Sequence, residues 1–257
     1  MTRALLWLSA IALAVALTVL VWLPAAWLGP IVEEQTGGRL TLGDAQGTLW
    51  RGSAFLGGAP GVGGAVTPLL PGRFSWRLSK LVLLGQVDLK LENAEVLSEP
   101  VNVTGSWSQW QVSPSSMRLP AEGLVGLGAP LNTLAPSGAM RLSWTTLQLQ
   151  REGPAVAVSG RTVLSMTDMG SRMAPIKPLG SYELTMNWRG QQAQLALSTV
   201  RGALLLSGEG ALERGRFRFS GQAQAADGYE ETLGNLLNLL GQRRMVNGKK
   251  TIALEFK

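Results

Sequence analysis

Tyr182-Glu183-Leu184-Thr185-Met186-Asn187-Trp188-Arg189-Gly190-Gln191-Gln192-Ala193-Gln194-Leu195-Ala196-Leu197-Ser198 is the stretch whose reading decides the fold class. Tyr182, Leu184, Met186 and Trp188 alternate with Glu183, Thr185, Asn187 and Arg189. Successive side chains of a strand point to opposite faces, so this alternation makes one apolar and one wet face, as in a half-buried antiparallel strand. Arg189-Gly190-Gln191 supplies a turn. Ala193, Leu195 and Leu197 then resume the alternation against Gln192, Gln194 and Ser198, which predicts a hairpin.

The same grammar extends in both directions. Val87, Leu89 and Leu91 alternate with Asp88, Lys90 and Glu92; Met140, Leu142 and Trp144 with Arg141, Ser143 and Thr145; Phe217 and Phe219 with Arg216, Arg218 and Ser220. Ala155–Met166 and Ala203–Glu213 are further strand candidates. Several strands open on a glycine, at Gly72-Arg73-Phe74, Gly138-Ala139-Met140, Gly180-Ser181-Tyr182 and Gly215-Arg216-Phe217, as a tight turn feeding a strand does. This repeated opening fits a duplicated unit and fits ordinary meander turns equally. The expected fold is mainly β: a Gly-rich, curved antiparallel sheet or sheets with a few short helices.

Three segments depart from the strand rhythm. Leu124, Leu127 and Leu131 fall at helical spacing within Leu119–Leu134, which predicts short helical turns between two similar halves divided near 119–137. Tyr229–Arg243 predicts an amphipathic helix with Leu233, Leu236, Leu237 and Leu240 on one stripe, Asp227 as a cap and Gly241 as the stop. Leu56–Pro71, rich in Gly, Ala and Pro, is expected to be a loop. Its Gly61-Val62-Gly63-Gly64 lacks the spacing and the following Lys-Ser/Thr of a phosphate loop.

The N-terminus has a different composition. Ala4–Leu28 carries no charge and only Ser9 and Thr18 as polar interruptions, and it is longer than the ~20 residues that cross a hydrocarbon core. Arg3 precedes it, Trp22 and Trp27 sit near its far end, and Glu33 and Glu34 follow. The expected topology is a cytoplasmic 1–3, a signal-anchor helix at 4–28, and a β-rich domain at 29–257 outside the cytoplasm. Leu23-Pro24-Ala25-Ala26-Trp27 is a poor cleavage site, which favours a retained anchor over a removed signal peptide.

Composition removes whole classes of chemistry. The 257 residues include neither Cys nor His, so disulfides, thiolate nucleophiles, Cys/His zinc sites and Ser-His-Asp triads are excluded. No Ser stands three residues before a Lys, and no Gly-x-Ser-x-Gly occurs. Asp44, Asp88, Asp168 and Asp227 are scattered among strand faces and turns, unlike a paired-carboxylate site or a calcium loop. The net charge of +6 is spread along the chain and suggests a solvated surface with no nucleic-acid partner. No enzyme activity, metal or cofactor is expected. Trp76, Trp144 and Trp188 lie on apolar strand phases and belong to a core, whereas Trp107 and Trp110 sit among Ser and Gln and are candidate partner contacts. Leu233, Leu236, Leu237 and Leu240 are the other candidate contacts.

Together these segments resemble the N component of the bacterial type II secretion system, the general secretion pathway protein N family. The resemblance rests on the anchor, then Gly47-Thr48-Leu49-Trp50-Arg51-Gly52-Ser53-Ala54, the Trp76-Arg77-Leu78 strand, Leu127-Gly128-Ala129-Pro130-Leu131-Asn132-Thr133-Leu134-Ala135-Pro136-Ser137-Gly138, Leu142-Ser143-Trp144 and Leu236-Leu237-Asn238-Leu239-Leu240-Gly241, in that order. It implies a single-pass inner-membrane protein with a periplasmic domain. In that family such a protein is a non-catalytic accessory to export of folded proteins across the outer membrane. Its implied partners are the inner-membrane platform and the secretin-linking component, besides membrane lipid through the anchor and further copies of itself in a homo-oligomer. Two other readings stay open: a membrane-anchored, AsmA-like β-groove that carries lipid on its apolar face, and a sugar-binding module that uses exposed Trp.

Overall fold

The computed structural model describes Trp7, Ile11 and residues 18–58, 67–121, 135–153, 155–213, 216–240, 242–246 and 249–256. Among these, the strands form a single 17-stranded sheet in which every pairing is antiparallel. They are β1 (Leu40–Gly47), β2 (Arg51–Gly58), β3 (Thr67–Pro68), β4 (Phe74–Leu78), β5 (Gln86–Glu92), β6 (Val101–Ser106), β7 (Gln109–Val112), β8 (Ser115–Pro120) and β9 (Pro136–Trp144). There follow β10 (Leu147–Glu152), β11 (Ala155–Ser171), β12 (Gly180–Gly190), β13 (Gln192–Gly202), β14 (Leu204–Glu213), β15 (Arg216–Ala225), β16 (Gln242–Val246) and β17 (Lys249–Phe256). The helical elements are η1 (Ala25–Trp27), α1 (Leu28–Gln35), η2 (Lys80–Leu84) and α2 (Glu230–Leu240).

The sheet is close to a meander. β1 pairs with β2, β2 with β3 and β4, and β4 through β7 pair in sequence order. β7 pairs with β10 and β8 with β9, while β10 and β9 lie against successive parts of β11. The order then runs β12, β13, β14, β15 and β17, with β16 outside β17.

Register explains why the alternation is so regular. Met117, Leu142, Leu164, Leu184, Leu197, Gly208, Gly221 and Leu254 stand directly opposite one another across eight successive strands. A one-residue slip anywhere would carry this row to the wet face. The two glycines in the row are covered by an aromatic ring: a Cβ at Gly208 would lie 2.5 Å from Cζ of Phe219, and one at Gly221 2.8 Å from its Cε1. Trp76 uses the same device, with its Cζ2 where a Cβ on the facing Gly52 would sit. An aromatic ring lying over a cross-strand glycine restores the apolar area that the glycine lacks. The indole N–H groups are bonded within the chain: Trp76 Nε1 donates to the Leu49 carbonyl at 3.0 Å, Trp144 to Ser113 at 2.9 Å and Trp188 to Thr162 Oγ1 at 3.1 Å.

Two buried clusters fix one end of the sheet. In the first, Leu233, Leu236 and Leu237 of α2 pack with Leu204, Ala223, Ile252, Leu179 and Ala174. In the second, Met140, Met169, Tyr182 and Ala121 pack with Leu164, Met166 and Leu197. Tyr182 is 5% exposed, and its Oη donates to the Leu204 carbonyl at 3.0 Å. Burial pushes its phenol well above the ordinary value. A raised folded-state value favours the fold at any pH below the unfolded value of ~10 and is lost above it. Tyr182→Phe is therefore expected to cost about 1 kcal/mol at neutral pH and to flatten the alkaline fall in stability. Urea denaturation at a series of alkaline pH values checks this, and equal slopes for both proteins would contradict it.

A second motif occurs once on each side of residues 119–137. Asp44, with φ +47°, sits at the bulge of β1; Arg73 Nη1 reaches its carboxylate at 2.7 Å while Arg73 Nε donates to Ser53 Oγ of β2 at 2.9 Å. Asp168, with φ +49°, sits at the bulge of β11; Arg201 of β13 reaches it at 2.8 Å, and its own N–H donates to Ser181 Oγ of β12 at 3.0 Å. In each case Asp tolerates the left-handed backbone of the bulge. A Ser on the next strand and an Arg beyond it then hold the bulge in place.

Several boundaries differ from those expected. Leu56–Gly58 continues β2 and Thr67–Pro68 pairs with it, so backbone pairing overrides the loop-like composition at both ends of Leu56–Pro71. Residues 59–66, with the glycine run, lie outside the described residues. Leu119 and Pro120 belong to β8, paired with Met140 and Ala139, and 122–134 lie outside the described residues. The amphipathic helix stops at Leu240, and Gln242–Val246 forms a strand on β17, because a free ladder there outcompetes another helical turn. No helix among the described residues is long and apolar enough to cross a membrane. Most of 4–17 lies outside those residues, and 18–35 breaks at Leu23-Pro24 before η1 and α1.

Candidate functional site

The residues with most to do outside the core gather where the N-terminal segment meets the sheet. Residues 18–21 are helical, and the last carbonyls of a helix lack intrahelical donors. Trp50, only 5% exposed, donates its indole N–H to one of them, the Leu20 carbonyl, at 2.8 Å. The Leu49 N–H donates to Leu23 at 2.8 Å, and Pro24 forms a bridge with Thr48. The β1–β2 turn thus grips the chain over Leu20–Pro24. The glycine in this turn is needed for space: a Cβ on Gly47 would lie 2.4 Å from the Arg51 carbonyl oxygen.

The grip continues into the next turn. The Leu78 N–H donates to the Trp50 carbonyl at 2.8 Å, which places the β4–β5 connection beside it. That connection is η2, capped by Ser79, whose side chain accepts from the Leu81 N–H, and ended by Gly85 at φ +92°. The β6–β7 turn follows on the same end, and Trp107 donates its indole N–H to the Val82 carbonyl of η2.

Cations line the wet face beside this end. Arg51, Arg77 and Lys90 are directly opposite one another on β2, β4 and β5, spanning ~10 Å. They border a depression of about 380 Å³ together with Gln46, Ser53 and Ser75. Like charges in register repel. Glu92 offsets part of this: Lys90 reaches it at 2.5 Å and holds its carboxyl below the usual carboxylate range. A larger depression of about 650 Å³ lies over β6, β7, β10 and β11. Thr104, Gln111, Gln148 and Ser159, all uncharged, stand in one cross-strand row within it, and Glu152 is also in its lining.

The candidate contacts separate into different environments. Trp107 is 56% exposed in its turn. Trp110 is half-buried, opposite Gly105 and Leu149, with the Arg151 guanidinium 5.9 Å above its ring. Trp107→Ala is expected to leave stability within about 0.5 kcal/mol, and Trp110→Ala to cost about 2 kcal/mol. Thermal melts of the two variants check this, and equal melting temperatures would remove the distinction. Leu233, Leu236 and Leu237 are buried in the chain's own core, so they face the sheet and not a partner. Leu240 ends α2, and its side chain lies outside the described residues.

Trp50 and the η2 turn were not legible as sites. Trp50 stood within an ordered motif but with no visible counterpart. Lys80-Leu81-Val82-Leu83-Leu84 did carry a signal, an unalternating apolar run between two alternating strands and just before a glycine. The described residues hold no group of three His, Cys, Asp or Glu placed to bind a metal.

No curated protein and no solved structure matches the chain. A family model described as "Type II secretion system (T2SS), protein N" matches residues 38–252, which takes in the gripping turn, β1 through β16, α2 and the start of β17. The chain belongs to the type II secretion system protein N family.

Proposed function

We propose that this component of the type II secretion system is a non-catalytic inner-membrane accessory that acts through contacts of its periplasmic sheet. The observation that carries this reading is the Trp50–Leu20 grip, which seats the apolar N-terminal segment directly on the domain. In this reading residues 4–28 anchor the chain, 1–3 stay in the cytoplasm, and 29–257 form the periplasmic domain, divided near 119–137 into two similar halves. The recurring Asp–Ser–Arg bracing at Asp44 and Asp168 supports that division. The uncharged row Thr104–Gln111–Gln148–Ser159 suits contact with the platform or secretin-linking components, because amides and hydroxyls bond to a partner without stripping water from a charge.

Purification of the tagged chain at native level in mild detergent, with mass spectrometry of protein and lipid, tests the reading. Enrichment of secretion-system components with only bulk lipid is expected, and Gln148→Arg should reduce it. Stoichiometric phospholipid without any secretion component would overturn it in favour of lipid carriage.

A further inference from the structure

The end of the sheet that grips Leu20–Pro24 also carries a group of exposed apolar side chains. Leu84 is 83% exposed, Leu81 and Leu83 are each 46% exposed, and Trp107 is 56% exposed. Trp107 donates its indole N–H to Val82 between the leucines, and Leu78, just before η2, is bonded to Trp50. Isolated exposed leucines are ordinary, but three within one turn beside a tryptophan are not.

The rest of the turn has the matching chemistry. Lys80 opens it and is exposed; Arg51 and Arg77 lie on the two strands that end beside it and, with Lys90, outnumber the carboxylates of Asp88 and Glu92 on β5. Leucine with tryptophan, rimmed by lysine and arginine, is the composition of a surface that lies in the boundary between headgroups and acyl chains. The position supplies the second argument. Trp22 and Trp27, 71% and 60% exposed, flank the chain where it enters the grip. The η2 turn is joined to that point through Leu20, Trp50 and Leu78, with no flexible connection between them.

We propose that the η2 turn with Trp107 is a second membrane contact, resting on the outer surface of the same bilayer that the N-terminal segment enters. Leu81, Leu83 and Leu84 sit in the interfacial zone and Lys80, Arg51 and Arg77 face anionic headgroups. The inference rests on the anchored reading above. It goes further by fixing the domain's tilt: the sheet stands on its β1–β7 end, with α2 and the buried clusters directed away from the membrane.

The chain has no cysteine, so a single introduced one labels uniquely. Leu84→Cys and Val200→Cys, the latter 67% exposed on β13 toward the opposite end of the sheet, are labelled with an environment-sensitive fluorophore in the full chain. Both are reconstituted in vesicles of phosphatidylethanolamine and phosphatidylglycerol. The expected result is a blue-shifted emission at 84 that lipid-borne nitroxide quenches, and a water-like, unquenched emission at 200. Water-like emission at 84 in a chain that resists alkaline carbonate extraction would overturn the second contact and leave the anchor standing. Extraction by carbonate would instead remove the anchored reading. Shielding at 84 that appears only on adding secretion-system components, and not with lipid, would assign the patch to a protein and overturn the inference.

Discussion

Replacing Leu233 with alanine will lower the stability of the domain by about 3–5 kcal/mol, a fall of roughly 10 °C in melting temperature. Leu233 is 0% exposed and lies between α2 and the face of the sheet, among Leu204, Ala223, Ile252 and Leu179. Truncation removes its transfer energy and leaves a cavity that three separate elements would have to close: α2, the segment from Ala174 to Leu179, and the β15–β17 pair. Their backbones are held by ladder bonds, so collapse into the space is limited. Leu84→Ala, in an exposed turn, serves as the comparison and is expected to change stability by less than about 0.5 kcal/mol. Thermal unfolding followed by far-UV circular dichroism reads both. A Leu233→Ala protein as stable as Leu84→Ala would mean that α2 is not part of the core.

Gly202→Ala is expected to cost about 3 kcal/mol or more, although it adds a single methyl group. Gly202 has φ +137° and stands directly opposite Gly180 on β12. A Cβ there would lie 2.2 Å from the Gly180 Cα and 2.4 Å from the Leu179 carbonyl oxygen. Both atoms belong to backbone, so no rotamer change relieves the clash. The strands would have to part at the place where Leu179 and Leu204 enter the core. Gly190→Ala isolates the conformational part of the effect. Gly190 has φ +66° but open space around its Cα, and about 1–2 kcal/mol is expected there. Urea midpoints of the two variants measured side by side decide the matter, and equal losses would show that the close approach of β12 and β13 carries no energy.

How much of this fold the sequence discloses depends on the range of the determining interaction. The β12–β13 hairpin is legible in full, because its pairing of Trp188 with Ala193, Met186 with Leu195 and Leu184 with Leu197 repeats the alternation of each strand and its turn is set by Gly190. The amphipathic stripe Leu233–Leu237 is legible for the same reason, since helical spacing is local. Gln242 and Arg243, placed within the expected helix, belong to a strand instead, because only their distant partner, β17, makes them one. Leu56–Gly58 is misread as loop because glycine-rich strands have little propensity and rely on their neighbours β1 and β3. The site is less legible still. The alignment of Arg51, Arg77 and Lys90 exists only in the register of three strands, and the bond from Trp50 to Leu20 joins residues whose types give no hint of each other. Trp107 and Trp110 look alike in sequence, three residues apart among Ser and Gln. Strand phase separates them, placing one in a turn and the other against a glycine on the next strand.

Nearly every strand of this sheet lies beside its neighbour in the sequence. Such an arrangement keeps loop closure short, and short closures make for fast, sequential assembly. A chain delivered N-terminus first can therefore add hairpin to hairpin as it emerges, with no need to wait for its far end. Each step also leaves a fresh row of unpaired amides and carbonyls at the growing front, open to the wrong partner. The β16–β17 hairpin is added to that front last, with α2 packed on β15 and β17. Removing Gln242–Phe256 bares the edge of β15, and chains cut before Gln242 should be lost to aggregation out of proportion to the contacts they lack.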